Sequence, residues 1–451
     1  MILSLIALPI GIAFAVLLTR HFRFLSSLLA AGAFTVLTAS LLAQRNTDSW
    51  MLFGRAMSLP PLESAVLAFC FALLALTMLY TNWIPQGDLA YPVTLSVAAL
   101  FIAATVFRNL ALATLLLEGG IIASTMLVPS ERPGAAMSGM RALVLLALSG
   151  PLLLVAAWAM EQYGSGTNDV QLSQITAIAL ALGTGIGLGM VPWYIWQPAI
   201  YQHGRVLAAI VLTVVLPAIL LLHLGSMLQV STWSGQQAFV QGLLLAGGFL
   251  TALVGSLMVA FQRSLGRAVG FAALADMGFV LMGLGMGTAE SSRAAFLHMI
   301  YRGVAVSAAM MGVGMLQQVL GGDTLDHLRG AFRRAPAAML GLVVGGLSLA
   351  GMPMTAGFTT RLALYTPLMA AHPTWGMMLI ASSLAPIWTV ARFCLAAWVS
   401  TPAVEGREPV SPGVIIVLLS LVLLALGIWP NLLTTLAGNW LSATVGATLW
   451  Q

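Results

Sequence analysis

Runs of about twenty apolar residues, each able to cross a hydrocarbon core of roughly 30 Å as a helix rising 1.5 Å per residue, recur along this 451-residue chain from end to end. Fourteen fall near 2–19, 25–43, 62–81, 90–107, 109–128, 140–160, 171–202, 206–226, 238–261, 267–287, 292–318, 337–371, 374–400 and 412–429. Only 7% of residues are charged and 60% are apolar, which leaves too little polar surface for a water-soluble domain. The sequence therefore reads as an all-α polytopic membrane protein of about 14 transmembrane helices, multi-pass in the cell's inner (plasma) membrane. The first run has no basic residue before it and Arg20 and Arg23 behind it. That is the reverse of a cleavable signal peptide, so this run is expected to remain as a helix.

Arginine placement sets the expected orientation, because basic loops are retained on the cytoplasmic side. Alternate loops hold Arg20, Arg23, Arg132, Arg141, Arg205, Arg263, Arg267, Arg329, Arg333, Arg334 and Arg407, against Arg45, Arg55, Arg108 and Arg293 in the others. Both termini are thus expected outside. The net charge of +5 reflects this excess, and no arginine-rich stretch with interleaved aromatics points to nucleic acid. Cys70 and Cys394 stand alone in apolar segments, His203, His327 and His372 read as solvated loop residues, and no loop exceeds about twenty residues. No disulfide, metal site or cofactor is expected from such spacings. The chemistry of this chain is expected inside the bilayer.

Two apolar runs are overlong and punctured. The seventh contains Gly-Met-Val-Pro-Trp-Tyr-Ile-Trp-Gln-Pro from Gly189 through Pro192 to Pro198, and the twelfth contains Gly-Met-Pro-Met-Thr-Ala-Gly from Gly351 through Pro353 to Gly357. Proline removes a helical donor and breaks the ladder, and irregular backbone at membrane depth survives only inside protein or beside a wet cavity. The breaks lie five spans apart, an odd number, so two five-helix units would run in opposite directions, the inverted-repeat design of many transporters. The expected organisation is one membrane domain: helices 1–3 over 1–86, a first five-helix repeat over 87–230, a second, inverted repeat over 231–402, and helix 14 with a short tail over 403–451.

The segments at 191–204 (Val-Pro-Trp-Tyr-Ile-Trp-Gln-Pro-Ala-Ile-Tyr-Gln-His-Gly), 267–279 (Arg-Ala-Val-Gly-Phe-Ala-Ala-Leu-Ala-Asp-Met-Gly-Phe), 296–300, 328–336 and 347–358 carry a family likeness. Together with the fourteen spans, the chain resembles the antiporter-like proton-conducting subunits of respiratory complex I, group 4 membrane-bound hydrogenases and Mrp antiporters. The resemblance implies a polar axis along the membrane midplane, built from a glutamate on the fifth helix and lysines or histidines on helices seven, eight, eleven and twelve. Glu118 falls on the glutamate position. The lysine positions fall on Gly187, on the stretch around Pro217, near Val306 and on Arg361. Arg302 or Tyr301 replaces a second histidine after His298, and Asp276 stands where a Ser-His pair usually enters helix ten. The chain contains no lysine at all; its 18 basic side chains, histidine aside, are arginines. Lysine can be made to release its proton by burial, whereas arginine stays protonated.

Ionisable groups within membrane spans are costly, by about 2.5–3.5 kcal/mol on insertion scales, and so are functional or paired. Glu118, Asp276, His298, Arg302, Arg361 and Arg392 form this set, with His223 and Glu161 nearer helix ends. Counting outward from a turn near 288–291 places Asp276 and Arg302 at one depth and predicts an ion pair, with His298 on the same face four residues earlier. This cluster reads either as structural and electrostatic or as part of a proton path through His298. Glu118, without a lysine partner, should favour its neutral form when desolvated; a packing carboxylate beside Gly119 and Gly120 is the other reading. Trp193, Tyr194 and Trp196 fit packing around the break or an interfacial belt better than a quinone site.

These features imply a non-redox membrane subunit of a proton- or ion-translocating complex of the NADH-quinone oxidoreductase (complex I) or hydrogenase type, lying among related membrane subunits and lipid, with a reduced or altered proton path. A subunit of a cation/proton antiporter, of an inorganic-carbon uptake system, or a non-conducting spacer stands as the alternative. The short tail after residue 429 argues against the branch that carries a long lateral helix.

Overall fold

A computed structural model describes residues 2–43, 49–52, 54–164, 170–228, 236–399 and 407–431. All fourteen apolar runs are helical. The first six are α1 (Ile2–Leu18), α2 (Arg23–Ala43), α3 (Pro61–Thr81), α4 (Ala90–Val106), α5 (Leu110–Thr125) and α6 (Ala135–Gly164). The seventh is split into α7 (Val170–Gly187) and α8 (Trp196–His203), and the eighth into α9 (Val206–Ile210) and α10 (Leu216–Leu228), joined by a π-helical turn over Val211–Val215. Next come α11 (Gln237–Val259), α12 (Leu265–Gly285) and α13 (Ala289–Leu320), then the short α14 (Ala331–Arg334). The twelfth run is α15 (Pro336–Ala350) with α16 (Ala356–Ala371), the thirteenth α17 (Pro373–Ser382) with α18 (Leu384–Trp398), and the last α19 (Val410–Ile428). A two-stranded hairpin, β1 (Trp50–Leu52) with β2 (Arg55–Met57), precedes α3. The protein is an all-α, multi-pass membrane protein with broken helices in its seventh and twelfth spans.

The break in the thirteenth run was not visible as a Gly or Pro pair. Ser382 and Ser383 turn their hydroxyls back onto the carbonyls of Leu379 and Ile380, at 3.0 and 2.6 Å, and Pro386 sits in the first turn of α18. Hydroxyls that compete for the ladder and a proline that cannot donate to it together interrupt the helix.

The eighth and tenth spans form the centre, since the most apolar stretch of each is 100% buried, against 33% in the thirteenth and 39% in the fourteenth. The packing of α12 against α11 explains how. Gly248 and Gly255 on α11 and Gly278 and Gly285 on α12 meet backbone directly: a Cβ on Gly248 would lie 2.7 Å from the Met282 nitrogen, one on Gly255 2.5 Å from that of Ala275, and those on Gly278 and Gly285 would collide with the backbones of Ala252 and Leu245. Without a hydrophobic driving force between helices in lipid, such small-residue seams provide the close contact that holds spans together. Gly278→Ala is expected to cost about 1–3 kcal/mol through overpacking, read as a lower thermal midpoint of the detergent-solubilised protein. Gly242→Ala on the same pair, where an added Cβ meets nothing within 4 Å, should leave the midpoint unchanged or slightly raised.

Candidate functional site

The two helix breaks are built by the same backbone device. At the end of α7, Gly189 has φ of +66° and donates to Ile186 O at 3.0 Å, and Met190 donates to Gly185 O at 2.8 Å. At the end of α15, Gly351 has φ of +73° and donates to Ser348 O at 3.0 Å, and Met352 donates to Leu347 O at 3.0 Å. This left-handed cap needs glycine, which explains the shared Gly-Met. Pro192 and Pro353 lie between the half-helices, while Pro198 sits in the first turn of α8, where a missing N–H costs little. Pro198 therefore does not break the helix as expected; it starts the second half. Gly357, second in α16, lets the half-helices cross: a Cβ there would strike the Ser348 carbonyl, and its N–H donates to Ser348 Oγ at 3.2 Å.

Each cap leaves carbonyls of the final turn without helical donors, and a side chain from the following half-helix returns to take one. Gln197 donates from Nε2 to Leu188 O at 2.7 Å, one residue before Gly189. Arg361 donates from Nη1 to Ala350 O at 2.8 Å, one residue before Gly351, and from Nη2 to Leu349 O. The seventh-span break is thus capped by a neutral amide and the twelfth-span break by a cation, which also suits the negative end of the α15 dipole.

Arg361, 2% exposed, is the partner of Asp276, 1% exposed. Its Nε and Nη2 donate to Asp276 Oδ1 at 3.1 and 2.7 Å, and its guanidinium carbon lies 4.3 Å from the Phe279 ring centroid. His298 Nε2 is 3.0 Å from the same oxygen, and its Nδ1 lies 2.7 Å from Thr360 Oγ1. The predicted ion pair between Asp276 and Arg302 is not formed. The α12–α13 turn is centred on Gly287, between the caps Met286 and Thr288, rather than on 288–291. Eleven residues then separate Gly287 from Asp276 and from His298 alike, so the histidine, not the arginine, faces the carboxylate.

Arg302, one helical turn further along, is fully enclosed and has no carboxylate within 4.0 Å among the described residues. Its acceptors are carbonyls: Ala273 O on α12, at 3.2 Å from Nε and 3.1 Å from Nη2, and Thr213 O in the π-helical turn of the eighth span, at 2.6 Å from Nη1. Proline at 217 deprives Thr213 O of its i+4 donor, and Arg302 takes the vacated acceptor. Tyr201 of α8 closes on the same residue, 2.6 Å from Thr213 Oγ1. A permanent cation from the eleventh span thus occupies the stretch of the eighth in which the resemblance places a lysine.

In the first half, Glu118 on α5 is half-buried, and the backbone of α6 passes so close at Gly150 that a Cβ there would collide with its carboxyl group. Its Oε2 is buried without a hydrogen-bond partner among the described residues. Gly187, at the seventh-span lysine position, has no room for a longer side chain, since a Cβ would lie 2.6 Å from Leu220 Cδ2 and 2.9 Å from Ser149 Oγ. Val306 is fully buried. Arg392 differs from expectation. It lies half-buried on α18 and donates to Gln262 O in the turn after α11, so it reaches to a helix end rather than to the Asp276 cluster.

Two polar contacts were not foreseen. His223 on α10, 6% exposed, holds its Nε2 2.9 Å from Thr114 Oγ1 on α5, one turn before Glu118, and lines a cavity of about 220 Å³. Glu63 on α3 is paired with Arg108, which donates to Glu63 Oε1 at 2.9 Å and to Ser58 O and Thr105 O at 2.8 and 2.9 Å. His223 lies within an apolar run and Arg108 just before one, but their partners are 109 and 45 residues away, and no local spacing reveals them. Trp196 is fully buried beside the break, and the Tyr194 and Phe271 ring centroids lie 6.2 Å apart, so these aromatics serve packing.

Residues 108–385, more than half of the chain, match the family described as NADH:quinone oxidoreductase/Mrp antiporter, TM. The chain belongs to this family. Among its relatives, NADH-quinone oxidoreductase subunit N of Chromohalobacter salexigens is 26% identical over 319 residues, spanning 66% of this chain and 67% of that protein. Subunit N 2 of Acidobacterium capsulatum is 27% identical over 300 residues, 60% of each, so the match spans less than two thirds of that relative. Solved structures of the same fold include respiratory complex I from Thermus thermophilus with bound NADH, at a TM-score of 0.84 and 18% identity over 100% of both chains. The membrane-bound sulfane sulfur reductase, an archaeal respiratory membrane complex, gives 0.81 and 19% over 99% of both. The Mrp complex from Dietzia sp. gives 0.83 and 18%, over 100% of this chain and 52% of that one. At these identities the structural likeness is one of fold.

Proposed function

We propose that this chain is an antiporter-like, non-redox membrane subunit of a redox-driven proton- or ion-translocating complex, seated beside related membrane subunits in the plasma membrane with both termini outside. Residues 87–230 and 231–402 act as its two inverted halves. The relatives named as NADH-quinone oxidoreductase subunit N, and the likeness to chains of complex I and the sulfane sulfur reductase, support that setting.

The observation that carries the mechanistic part is Arg302. Where the eighth span meets the tenth and eleventh, Arg302 is a buried cation that cannot release its proton and has no carboxylate within 4.0 Å among the described residues. Arg361, committed to Asp276 and to the α15 carbonyls, is equally unable to relay. The second half is therefore an ion-paired scaffold, and Glu118 is left as the exchangeable group of the first. In this reading the subunit supports pumping by its neighbours through the charge state of Glu118 and passes no proton from one half to the other. In the assembled complex reconstituted in liposomes, Glu118→Gln is expected to slow redox-driven proton uptake while leaving uncoupled electron transfer untouched. Unchanged uptake would reduce the chain to a spacer.

A further inference from the structure

We propose that a pocket between α6, α8 and α12 binds the headgroup of an anionic phospholipid. The cavity, about 330 Å³, lies beside the seventh-span break, and Arg141, Arg267, Gln202 and His203 are among the residues that line it. Among the described residues neither Arg141 nor Arg267 has a side-chain hydrogen bond or an ion pair. Arg267 leans over Phe271, its guanidinium carbon 5.8 Å from the ring centroid, and both residues line the cavity. The α12 amino terminus itself is already capped, Leu265 N–H donating to Asp323 O and Arg267 N–H to Ser264 Oγ, so the candidate phosphate-diester donors are the two exposed guanidinium groups that line one cavity.

The apolar wall decides that the phosphate belongs to a lipid. Met137 and Ile195 line the same cavity, and both are 55% exposed, with Met140 beside them at 63%. A free phosphate has no use for that surface, whereas acyl chains lie along it while the headgroup sits on the arginines. Basic pockets between membrane helices capture acidic headgroups. A lipid held there would tie the half-helix α8 to its neighbours α6 and α12.

The test uses the assembled complex, stripped of loosely bound lipid in detergent and titrated with phosphatidylglycerol or phosphatidylcholine, with retained lipid counted by native mass spectrometry. Wild type is expected to keep a phosphatidylglycerol that phosphatidylcholine does not replace and that millimolar inorganic phosphate does not displace. Arg141→Gln with Arg267→Gln should bind it roughly thirtyfold more weakly, the effect of two near-surface charges. Arg141→Lys with Arg267→Lys, which keeps both charges, should retain it and guards against loss by misfolding. Equal retention in wild type and the glutamine pair overturns the proposal, and so does displacement by inorganic phosphate, which would make the pocket a plain anion site.

Discussion

Asp276→Asn is expected to lower the stability of the solubilised protein by about 3–5 kcal/mol, the usual consequence of leaving one member of a buried ion pair without its partner. The amide still offers an oxygen near the Oδ1 position that now accepts from Arg361 and His298. The loss is therefore one of charge, not of shape. Three spans feel it at once, because the carboxylate sits on α12, His298 on α13 and Arg361 on α16, with Arg361 also closing the end of α15. Combining Asp276→Asn with Arg361→Gln should cost about 0.5–3 kcal/mol less than the sum of the single losses. Thermal unfolding of the four proteins, followed by tryptophan fluorescence, measures this directly. Strict additivity would mean that the two groups do not stabilise one another.

The second large effect is expected at Arg302. Two unit charges about 8 Å apart at an effective dielectric of about 20 repel by roughly 2 kcal/mol, about thirtyfold in a rate. On the proposed reading, a proton moving between the halves would meet such a repulsion at Arg302, which has no carboxylate within 4.0 Å among the described residues. Arg302→Gln removes the charge and keeps an amide able to donate to Thr213 O or Ala273 O, so the π-helical turn retains a partner for its freed carbonyl. The expected outcome is a more proton-permeable subunit with a modest loss of stability.

Much of this was legible in the chain. Spans and breaks follow from apolar run length and from Gly-Met beside proline, and both are local. What escaped depends on pairing. A turn placed a few residues late moved the partner of Asp276 from His298 to Arg302, because two antiparallel helices convert a small shift of pivot into a full helical turn of register. The π-helical turn at Val211–Val215 and the break at Ser383 come from proline and serine inside apolar runs, where composition gives no warning. The capture of Thr213 O by Arg302 needed both ends of an 89-residue separation. The missing lysines were visible at once; that an arginine from another span fills the vacated place was not.

The most direct measurement is the proton leak of liposomes holding the assembled complex, under an imposed membrane potential and without redox substrate. Wild type is expected to be tight and Arg302→Gln to leak about ten- to thirtyfold faster, with His298→Gln alone leaving the wild-type rate unchanged. Equal leaks in wild type and Arg302→Gln would show that Arg302 is no barrier, and a wild-type leak abolished by His298→Gln would show that protons already cross between the halves.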